Sequence, residues 1–327
     1  MERICHQEFN ARELVAKYPA RLNNRNKEIV FDISSPEGAV HSGTISFSRW
    51  RQMQLPDSVT RGGECPSFKL REDFFTYDST PQGQIDWHLN FAHYDLFCAY
   101  GGPLFAQDEM QVAEHPALAS LRHALLDMGL NPLTVENGIP TPALIMGVER
   151  RCHVATDANH AEGRPAGLYG NSFSFAPEDA IRQATEVINP ATISNILAME
   201  APSDGAGRYT REDIELVLSS VLTGFSAAVH ESREKIASNA QIVGHTGYWG
   251  CGAYGGNREL MSFLQMVAAC GSELNSMVFH SGGDSAGYDK ALEMIEELLP
   301  VGKKVSLDKL LSQIESMGFE WGVSDGN

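Results

Sequence analysis

The sequence has few cysteines, and they form no recognisable pattern. Six are spread over 327 residues, and no two of them stand in a Cys-x-x-Cys pair. Zinc ribbons and disulfide frameworks need closely spaced cysteines, so neither is expected. Reduced thiols are typical of a reducing compartment, which predicts a cytoplasmic location. A bacterial effector delivered into a host cytosol would show the same cysteine usage.

Positive charge and long apolar runs are also scarce. The chain has 25 Lys and Arg against 42 Asp and Glu, a formal net charge of −17. Nucleic-acid-binding and anionic-membrane-binding surfaces need clustered Lys and Arg, so neither partner is expected. No run approaches the ~18 apolar residues of a membrane span, and the sequence starts without the apolar stretch of a secretory signal. A small anionic ligand is compatible with this charge, because backbone N–H groups bind phosphate without basic side chains.

Metal ligands are not grouped in the sequence either. His153 and His160 share a polar segment, but they lack the spacing of a ligand set. Solvated loop histidines are the simpler interpretation. We therefore predict no metal and no cofactor.

The order of sequence patterns is typical of an α/β fold. Helical spacing runs over Met110–Met128, and a short apolar strand is predicted at Ala143–Met146. Residues 241–279 then read as strand, glycine-rich loop, helix and strand. Such a unit favours a parallel or mixed sheet that is covered on both faces.

The first part of the chain has a mixed pattern. A strand is predicted over Ile29–Ile33, between helical and turn-rich stretches. We interpret residues 1–80 as an accessory N-terminal region packed on a core domain formed by residues 81–327.

The glycine-rich loop is the most informative segment. Half of positions 247–256 are glycine, and a helix follows. Backbone amides of such a loop can surround a phosphate or diphosphate, and the helix N-terminus adds a favourable field. The loop lacks both the Lys-Ser/Thr pair of a Walker A motif and the spacing of a Rossmann site. Trp249 and Tyr254, interleaved with the glycines, suggest stacking on a ring or sugar. The alternative is a tight turn whose glycines serve packing alone.

A second segment carries two adjacent carboxylates. Asp108 and Glu109 follow a Gly101-Gly102 turn at the predicted start of a helix. A buried carboxyl with a raised pKa can protonate a glycosidic oxygen. The alternative is an acidic first helical turn, which favours the helix dipole and is very common.

Together, the two segments resemble the poly(ADP-ribose) glycohydrolase family. Its members carry Gly-Gly-Gly, a short spacer and Gln-Glu-Glu, and far downstream Thr-Gly-Asn-Trp-Gly-Cys-Gly-Ala-Phe-Gly-Gly-Asp. The upstream motif is degraded here to Gly101-Gly102-Pro103 and Gln107-Asp108-Glu109. Weaker similarity in other segments extends the region that resembles the family to roughly residues 86–299. The downstream motif matches at Thr246, Gly247, Trp249, Gly250, Cys251, Gly252, Ala253, Gly255 and Gly256.

The resemblance implies a macrodomain-like three-layer α/β/α fold with a mixed sheet and helical additions. It implies that Glu109 is the catalytic acid, and that Asp108, one methylene shorter than the family's Glu, holds the ribose hydroxyls. The residues that it implies for ADP-ribose binding are Asn90, Gly101, Gly102, Gln107, Tyr169, Gly247, Tyr248, Trp249, Gly250, Cys251, Gly252, Ala253 and Tyr254.

Three of these positions are tyrosines that do not match the family motifs directly. Tyr254 replaces a Phe that packs on the distal ribose, and Tyr248 replaces an Asn. Tyr169 is our candidate for the family's tyrosine-bearing clasp, with a simple loop aromatic as the alternative.

The resemblance implies hydrolysis of an ADP-ribosyl glycosidic bond, with the ADP-ribose moiety of a modified protein as the partner. The degraded upstream motif favours mono-ADP-ribosyl-arginine as the substrate, as in an effector branch of this fold that acts on ubiquitin. Poly(ADP-ribose) is the alternative substrate. A non-catalytic ADP-ribose reader is the rival from another class, and retention of both acidic positions argues against it.

Overall fold

The computed structural model of the protein describes residues 1–63, 66–203, 205–235 and 240–326. Within these ranges, eight strands form one mixed sheet in the order β1-β2-β8-β9-β5-β10-β11-β4. The pairs from β1 to β9 are antiparallel, and those from β9 to β4 are parallel. The described strands are β1 (Arg3–Asn10), β2 (Thr44–Trp50), β3 (Ser58–Thr60), β4 (Ser67–Arg71), β5 (Gln84–Phe91), β6 (Val135–Glu136), β7 (Ile139–Pro140), β8 (Ala143–Val154), β9 (Thr185–Met199), β10 (Gln241–Gly247), β11 (Ser276–His280) and β12 (Lys304–Ser306).

Helices cover both faces of this sheet. One apolar core lies under α7 to α10, and a second lies under α1 to α4 and α6. The predicted three-layer α/β/α arrangement is therefore confirmed. The described helices are α1 (Ala11–Lys17), α2 (Arg25–Ser34), α3 (Gln107–Glu114), α4 (Ala117–Asp127), α5 (Ser172–Phe175), α6 (Glu178–Ala184), α7 (Arg211–Lys235), α8 (Arg258–Ser272), α9 (Ala286–Leu298) and α10 (Leu307–Met317).

Strand β5 shows how the two faces are separated. Successive side chains of a strand point to opposite faces. Ile85, Trp87 and Leu89 therefore enter the core under α7 and α8. The residues between them, including His88 and Asn90, are buried on the other face. This alternation brings Asn90 to the face that α3 covers.

The strand predicted over Ile29–Ile33 is wrong, because these residues lie in helix α2. The side chain of Asn24 accepts a hydrogen bond from the backbone N–H of Lys27 and caps this helix. Ile29, Val30 and Phe31 are all buried in the core. Tertiary packing therefore overrides the preference of β-branched residues for strands.

The single helix expected over Met110–Met128 is divided in two. Helix α3 ends at Glu114, and α4 begins at Ala117 after Pro116. Proline has no backbone N–H and clashes with the preceding turn, so the helix cannot continue through it.

Residues 1–80 are part of the sheet rather than an addition to it. Strands β1 and β2 extend one side of the sheet, and β4 forms its opposite edge beyond β11. Residues on both sides of position 80 thus share one sheet and its two cores. No helix in the described ranges is long and apolar enough to cross a membrane.

Candidate active site

The site lies where the carboxyl ends of three neighbouring strands meet. Phe91 at the end of β5 pairs with Met199 at the end of β9, and the glycine-rich loop follows β10. Both Ala92 and the indole of Trp249 donate hydrogen bonds to the carbonyl oxygen of Met199, over 3.1 and 2.9 Å. Ligands of open α/β sheets bind at this edge.

The first turn of α3 holds both predicted carboxylates. Asp108 is 7% exposed and Glu109 is 4% exposed. Glu109 Oε2 accepts a hydrogen bond from the backbone N–H of Ala106 over 3.0 Å, which satisfies one of the free donors at the helix start. Unlike the exposed acidic turn of an ordinary surface helix, this pair is removed from solvent.

Gln107 fastens the pair to the sheet. Its Oε1 accepts from the backbone N–H of Phe91 over 2.7 Å, and its Nε2 donates to the carbonyl oxygen of Leu89 over 3.0 Å. Both ends of the side-chain amide are thus bonded to β5. Gln107 positions α3, and its predicted contact with a ligand stays a prediction.

Burial and mutual repulsion raise the pKa values of the acidic pair. Burial, followed by the charge of Glu109, raises the pKa of Asp108 to about 7, although the Asn90 amide opposes this. Burial also raises the pKa of Glu109, against the opposing charge of Lys27. Because close carboxyl groups titrate as a unit, the pair retains a proton into the neutral range.

Lys27 is a site residue that the sequence did not reveal. Its Nζ donates to the carbonyl oxygen of Tyr100 over 3.0 Å and lies 5.0 Å from the centroid of the Phe105 ring. Burial lowers the pKa of Lys27 to about 8, although the charges of Glu109 and Asp108 oppose this. Lys27 is far from Asp108 and Glu109 in the sequence, so no sequence pattern indicates that it lies near them.

The glycine loop has the backbone that its sequence predicts. Gly250 and Gly255 have φ values of +76° and +65°, a region that side chains other than glycine rarely adopt. A Cβ on Gly250 would lie 2.5 Å from the Cβ of Ala201. Gly256 closes the turn by donating to the carbonyl oxygen of Gly250 over 2.8 Å. Some of these glycines therefore serve the turn itself.

Trp249 is placed differently from the expectation. The residue is 0% exposed and lies within the core beneath the loop. Its ring is therefore not available to stack on a ligand, and the stacking role suggested for it is wrong. A large apolar ring between glycines anchors the loop to the core through burial.

The two tyrosines of the loop point to different surroundings. The hydroxyl of Tyr254 donates to Oε1 of Glu200 over 3.1 Å. Burial raises the pKa of Tyr254, and the charges of Glu200 and Asp108 add to this effect. The hydroxyl of Tyr248 instead donates to the carbonyl oxygen of Asp284 over 2.6 Å, near the start of α9.

The remaining loop positions differ in exposure. Ala253 is exposed, whereas Cys251 is partly buried and its Sγ donates to the carbonyl oxygen of Trp249 over 3.6 Å. Burial raises the pKa of the Cys251 thiol to about 12, so the group stays neutral. A Cβ on Gly247 would lie 2.7 Å from the carbonyl oxygen of His280, so glycine is needed there for close strand packing.

The Gly101-Gly102 turn lies against the N-terminal part of the chain. A Cβ on Gly101 would be 2.5 Å from the carbonyl oxygen of Arg21. Gly101 in turn accepts a hydrogen bond from the backbone N–H of Asn23 over 3.0 Å. Close packing explains glycine at position 101, and the contact with a diphosphate stays a prediction.

Tyr169 lies next to the start of α3. Its neighbour Gly170 exchanges backbone hydrogen bonds with Phe105, over 3.0 and 3.2 Å. Tyr169 is 42% exposed. Local burial raises the pKa of its hydroxyl, and the charges of Asp325 and Glu109 add to this effect. The clasp candidate is therefore beside the acidic pair.

The described ranges contain no group of three His, Cys, Asp or Glu side chains that could hold a metal ion. His153 instead faces Glu114, with Nδ1 3.4 Å from Oε1.

Part of the chain matches the model of a known protein family. Residues 163–288 match the family model described as poly(ADP-ribose) glycohydrolase (PARG), macro domain fold. The matched part of the chain contains Tyr169 and the whole glycine loop, whereas Asp108 and Glu109 precede it. The match confirms the macrodomain-like fold that the motif resemblance implied.

Solved structures of bacterial PARG proteins are similar to this chain at low sequence identity. PARG from Thermomonospora curvata is 13% identical, with 88% of this chain and 98% of that chain covered and a TM-score of 0.46. The same protein bound to the inhibitor ADP-HPD is 14% identical, with 87% and 88% covered and a TM-score of 0.45. PARG from Deinococcus radiodurans in complex with ADP-ribose is 11% identical, with 90% and 94% covered and a TM-score of 0.41. Among curated protein sequences, none matches the chain.

Proposed function

We propose that this protein hydrolyses the glycosidic bond that joins ADP-ribose to another molecule. The main support is the buried pair Asp108 and Glu109, which retains a proton into the neutral range beside a glycine-rich loop. Glycosidic hydrolysis needs a proton donor for the leaving atom and a base for water, and two carboxyl groups supply both. The loop supplies backbone geometry suited to a diphosphate.

The proposed reaction proceeds by general acid–base catalysis. The bond between the anomeric carbon and the leaving oxygen or nitrogen breaks, and its electron pair stays with the leaving atom, which takes the proton of the acidic pair. Water adds to the resulting oxocarbenium-like carbon and returns a proton to the carboxylate. Motif position assigns the acid to Glu109. The hydrogen bond that Glu109 accepts from Ala106 and the positive charge of Lys27 favour the charged form of Glu109, so the proton rests on the pair rather than on one residue.

We propose mono-ADP-ribosyl-arginine on a modified protein as the substrate, with ubiquitin as one candidate protein. The negative charges of Glu200 and Asp108 both act on Tyr254, that of Glu109 acts on Asp108, and together they complement a cationic guanidinium leaving group. The degraded upstream motif and Tyr248 distinguish the chain from the family pattern on which polymer cleavage rests. The free thiols at all five described cysteines support action in a reducing compartment such as the cytoplasm.

The test is release of ADP-ribose from a panel of defined substrates. The panel contains arginine-linked mono-ADP-ribosylated ubiquitin, a second arginine-linked protein, a serine-linked peptide and poly(ADP-ribose). We expect release from the arginine-linked substrates by wild type and none by the double variant Asp108→Asn, Glu109→Gln. Release from the polymer alone would replace the proposed substrate by poly(ADP-ribose). Calorimetric binding of ADP-ribose without release from any substrate would make the protein a reader and overturn hydrolysis.

A further inference from the structure

A segment distant from the loop in sequence crosses it in the folded protein. After α10 the chain turns back along the end of the sheet, and Trp321 stacks on Tyr209 with ring centroids 4.1 Å apart. The backbone N–H of Trp321 donates to the carbonyl oxygen of Gly207 over 2.8 Å. From this anchor, residues 322–326 continue onto the glycine loop.

The segment bonds directly to the loop backbone. Gly322 donates to the carbonyl oxygen of Gly255 over 2.7 Å, and Asp325 donates to the carbonyl oxygen of Gly252 over 3.4 Å. The Oδ2 atom of Asp325 lies 2.9 Å from the position that a Cβ on Gly252 would occupy. A carboxylate thus lies on the open face of the loop, in the space that the missing side chain of Gly252 provides.

The far end of the segment reaches the opposite side of the site. The Nδ2 atom of Asn171 donates to the carbonyl oxygen of Gly326 over 3.1 Å. Asn171 follows Tyr169 and Gly170, the stretch that lies beside the start of α3. Asp325 is also close enough to Tyr169 for its negative charge to raise the pKa of that hydroxyl, after the larger effect of burial. The segment therefore bridges the glycine loop and the Tyr169 stretch.

We infer that Asp325 occupies the anion position of the glycine loop, so that ADP-ribose binds only when residues 322–326 move away. The inference rests on the proposed function, which puts the diphosphate on Gly250–Ala253. A carboxylate and a diphosphate are both anionic hydrogen-bond acceptors, and they repel each other at contact distance. The contact is autoinhibitory because the same chain supplies the competing anion.

The segment is built to be displaced. Residues 322–326 are all exposed, and Val323 is 91% exposed, so little apolar burial holds them in place. Surface stretches with few buried contacts open at low free-energy cost. The stacked Trp321 stays on Tyr209 and keeps Asp325 near the loop, which makes its effective concentration there high.

The experiment compares Asp325→Ala with Glu320→Ala as a matched control. Glu320 is an exposed acid of the same stretch that faces Arg208, with Oε1 3.7 Å from Nε, instead of the loop. We expect Asp325→Ala to bind ADP-ribose about 10-fold more tightly by calorimetry. Without the carboxylate, binding no longer depends on the fraction of molecules in which residues 322–326 have moved off the loop. Glu320→Ala should bind like wild type. In wild type, saturating ADP-ribose should speed hydrogen exchange at the amides of Gly322 and Asp325.

Hydrogen exchange distinguishes movement of residues 322–326 from simple charge repulsion between Asp325 and the ligand. Tighter binding by Asp325→Ala with unchanged or slower exchange at Gly322 in liganded wild type would overturn the inference, because the segment would then stay in place. Equal affinities of wild type and Asp325→Ala would also overturn it, while ADP-ribose binding itself would leave the proposed function standing. Binding to neither protein would overturn both.

Discussion

The Nδ2 atom of Asn90 donates a hydrogen bond to Oδ1 of Asp108 over 3.1 Å. This contact joins the end of β5 to the first turn of α3, so the sheet orients the carboxylate. Asn90 is fully buried, and its Oδ1 has no hydrogen-bond partner among the described residues. A buried acceptor without a partner at this position is suited to a hydroxyl of a bound ribose.

We expect Glu109→Gln to remove turnover and to keep ADP-ribose binding. The amide is nearly isosteric, but it cannot donate an acidic proton or deprotonate water, and loss of a general acid–base group reduces rates by ~10²–10⁴. Asp108→Asn should weaken both affinity and rate, because it changes the partner of Asn90. Single-turnover release of ADP-ribose and calorimetry measure the two effects. Near-wild-type release by Glu109→Gln would assign the acid to Asp108.

We expect Lys27→Met to move the pH–rate profile upward by about 1 unit. The positive charge of Lys27 lowers the pKa of Glu109 and Asp108, so its removal raises both. The acid then stays protonated to higher pH, and the base becomes available only at higher pH. Lys17→Met, on an exposed lysine, is the control and should leave the profile in place. A profile unchanged in Lys27→Met would show that the buried ammonium does not tune the pair.

We expect the free energy of unfolding to decrease as the pH falls from 6.5 to 4. Burial lowers the pKa of His115 and of His280 to about 4, and that of His88 still further. Between pH 6.5 and 4 the unfolded chain binds these protons and the folded chain does not, so stability is lost. The raised pKa values of Asp108 and Glu109 act in the opposite direction, but they are two groups against three histidines.

Urea unfolding at pH 7, 6, 5 and 4 measures this dependence. For fully buried His115 alone, the lowered pKa corresponds to a loss of about 3 kcal/mol in the free energy of unfolding by pH 4. Stability that is constant or rises as the pH falls over this range would contradict the assignment of neutral, buried histidines.

We expect Gly101→Ala to destabilise the fold by about 1–3 kcal/mol, because the new methyl group would meet the carbonyl oxygen of Arg21 at 2.5 Å. Gly102→Ala is the matched control, since its Cβ meets the carbonyl oxygen of Ala99 at 3.2 Å and needs only a small shift. Chemical denaturation measures both variants. A Gly101→Ala variant as stable as wild type, but unable to bind ADP-ribose, would show that this glycine serves the ligand.

The sequence by itself determined the features that depend on short stretches of backbone. The positive φ values of Gly250 and Gly255 need glycine, so the loop was visible in its composition. The break at Pro116 also has a local cause, the missing N–H of proline, although the helical spacing over Met110–Met128 predicted one continuous helix. The position of Asp108 and Glu109 in the first turn of a helix was also readable, because acidic residues favour that end of the helix dipole.

The tertiary structure alone decided which distant residues complete the site. The charges of Lys27 and Glu109 interact only because Ile29–Ile33, predicted to be a strand, are part of helix α2, which packs against α3. Trp249 anchors the loop because its side chain is fully buried in the core. Asp325 lies on Gly252 although the two residues are far apart in the sequence. Burial also raised the pKa of Asp108. Local patterns fix backbone preferences, whereas long-range packing sets desolvation and charge proximity, so the electrostatics of this site could not be read from the sequence.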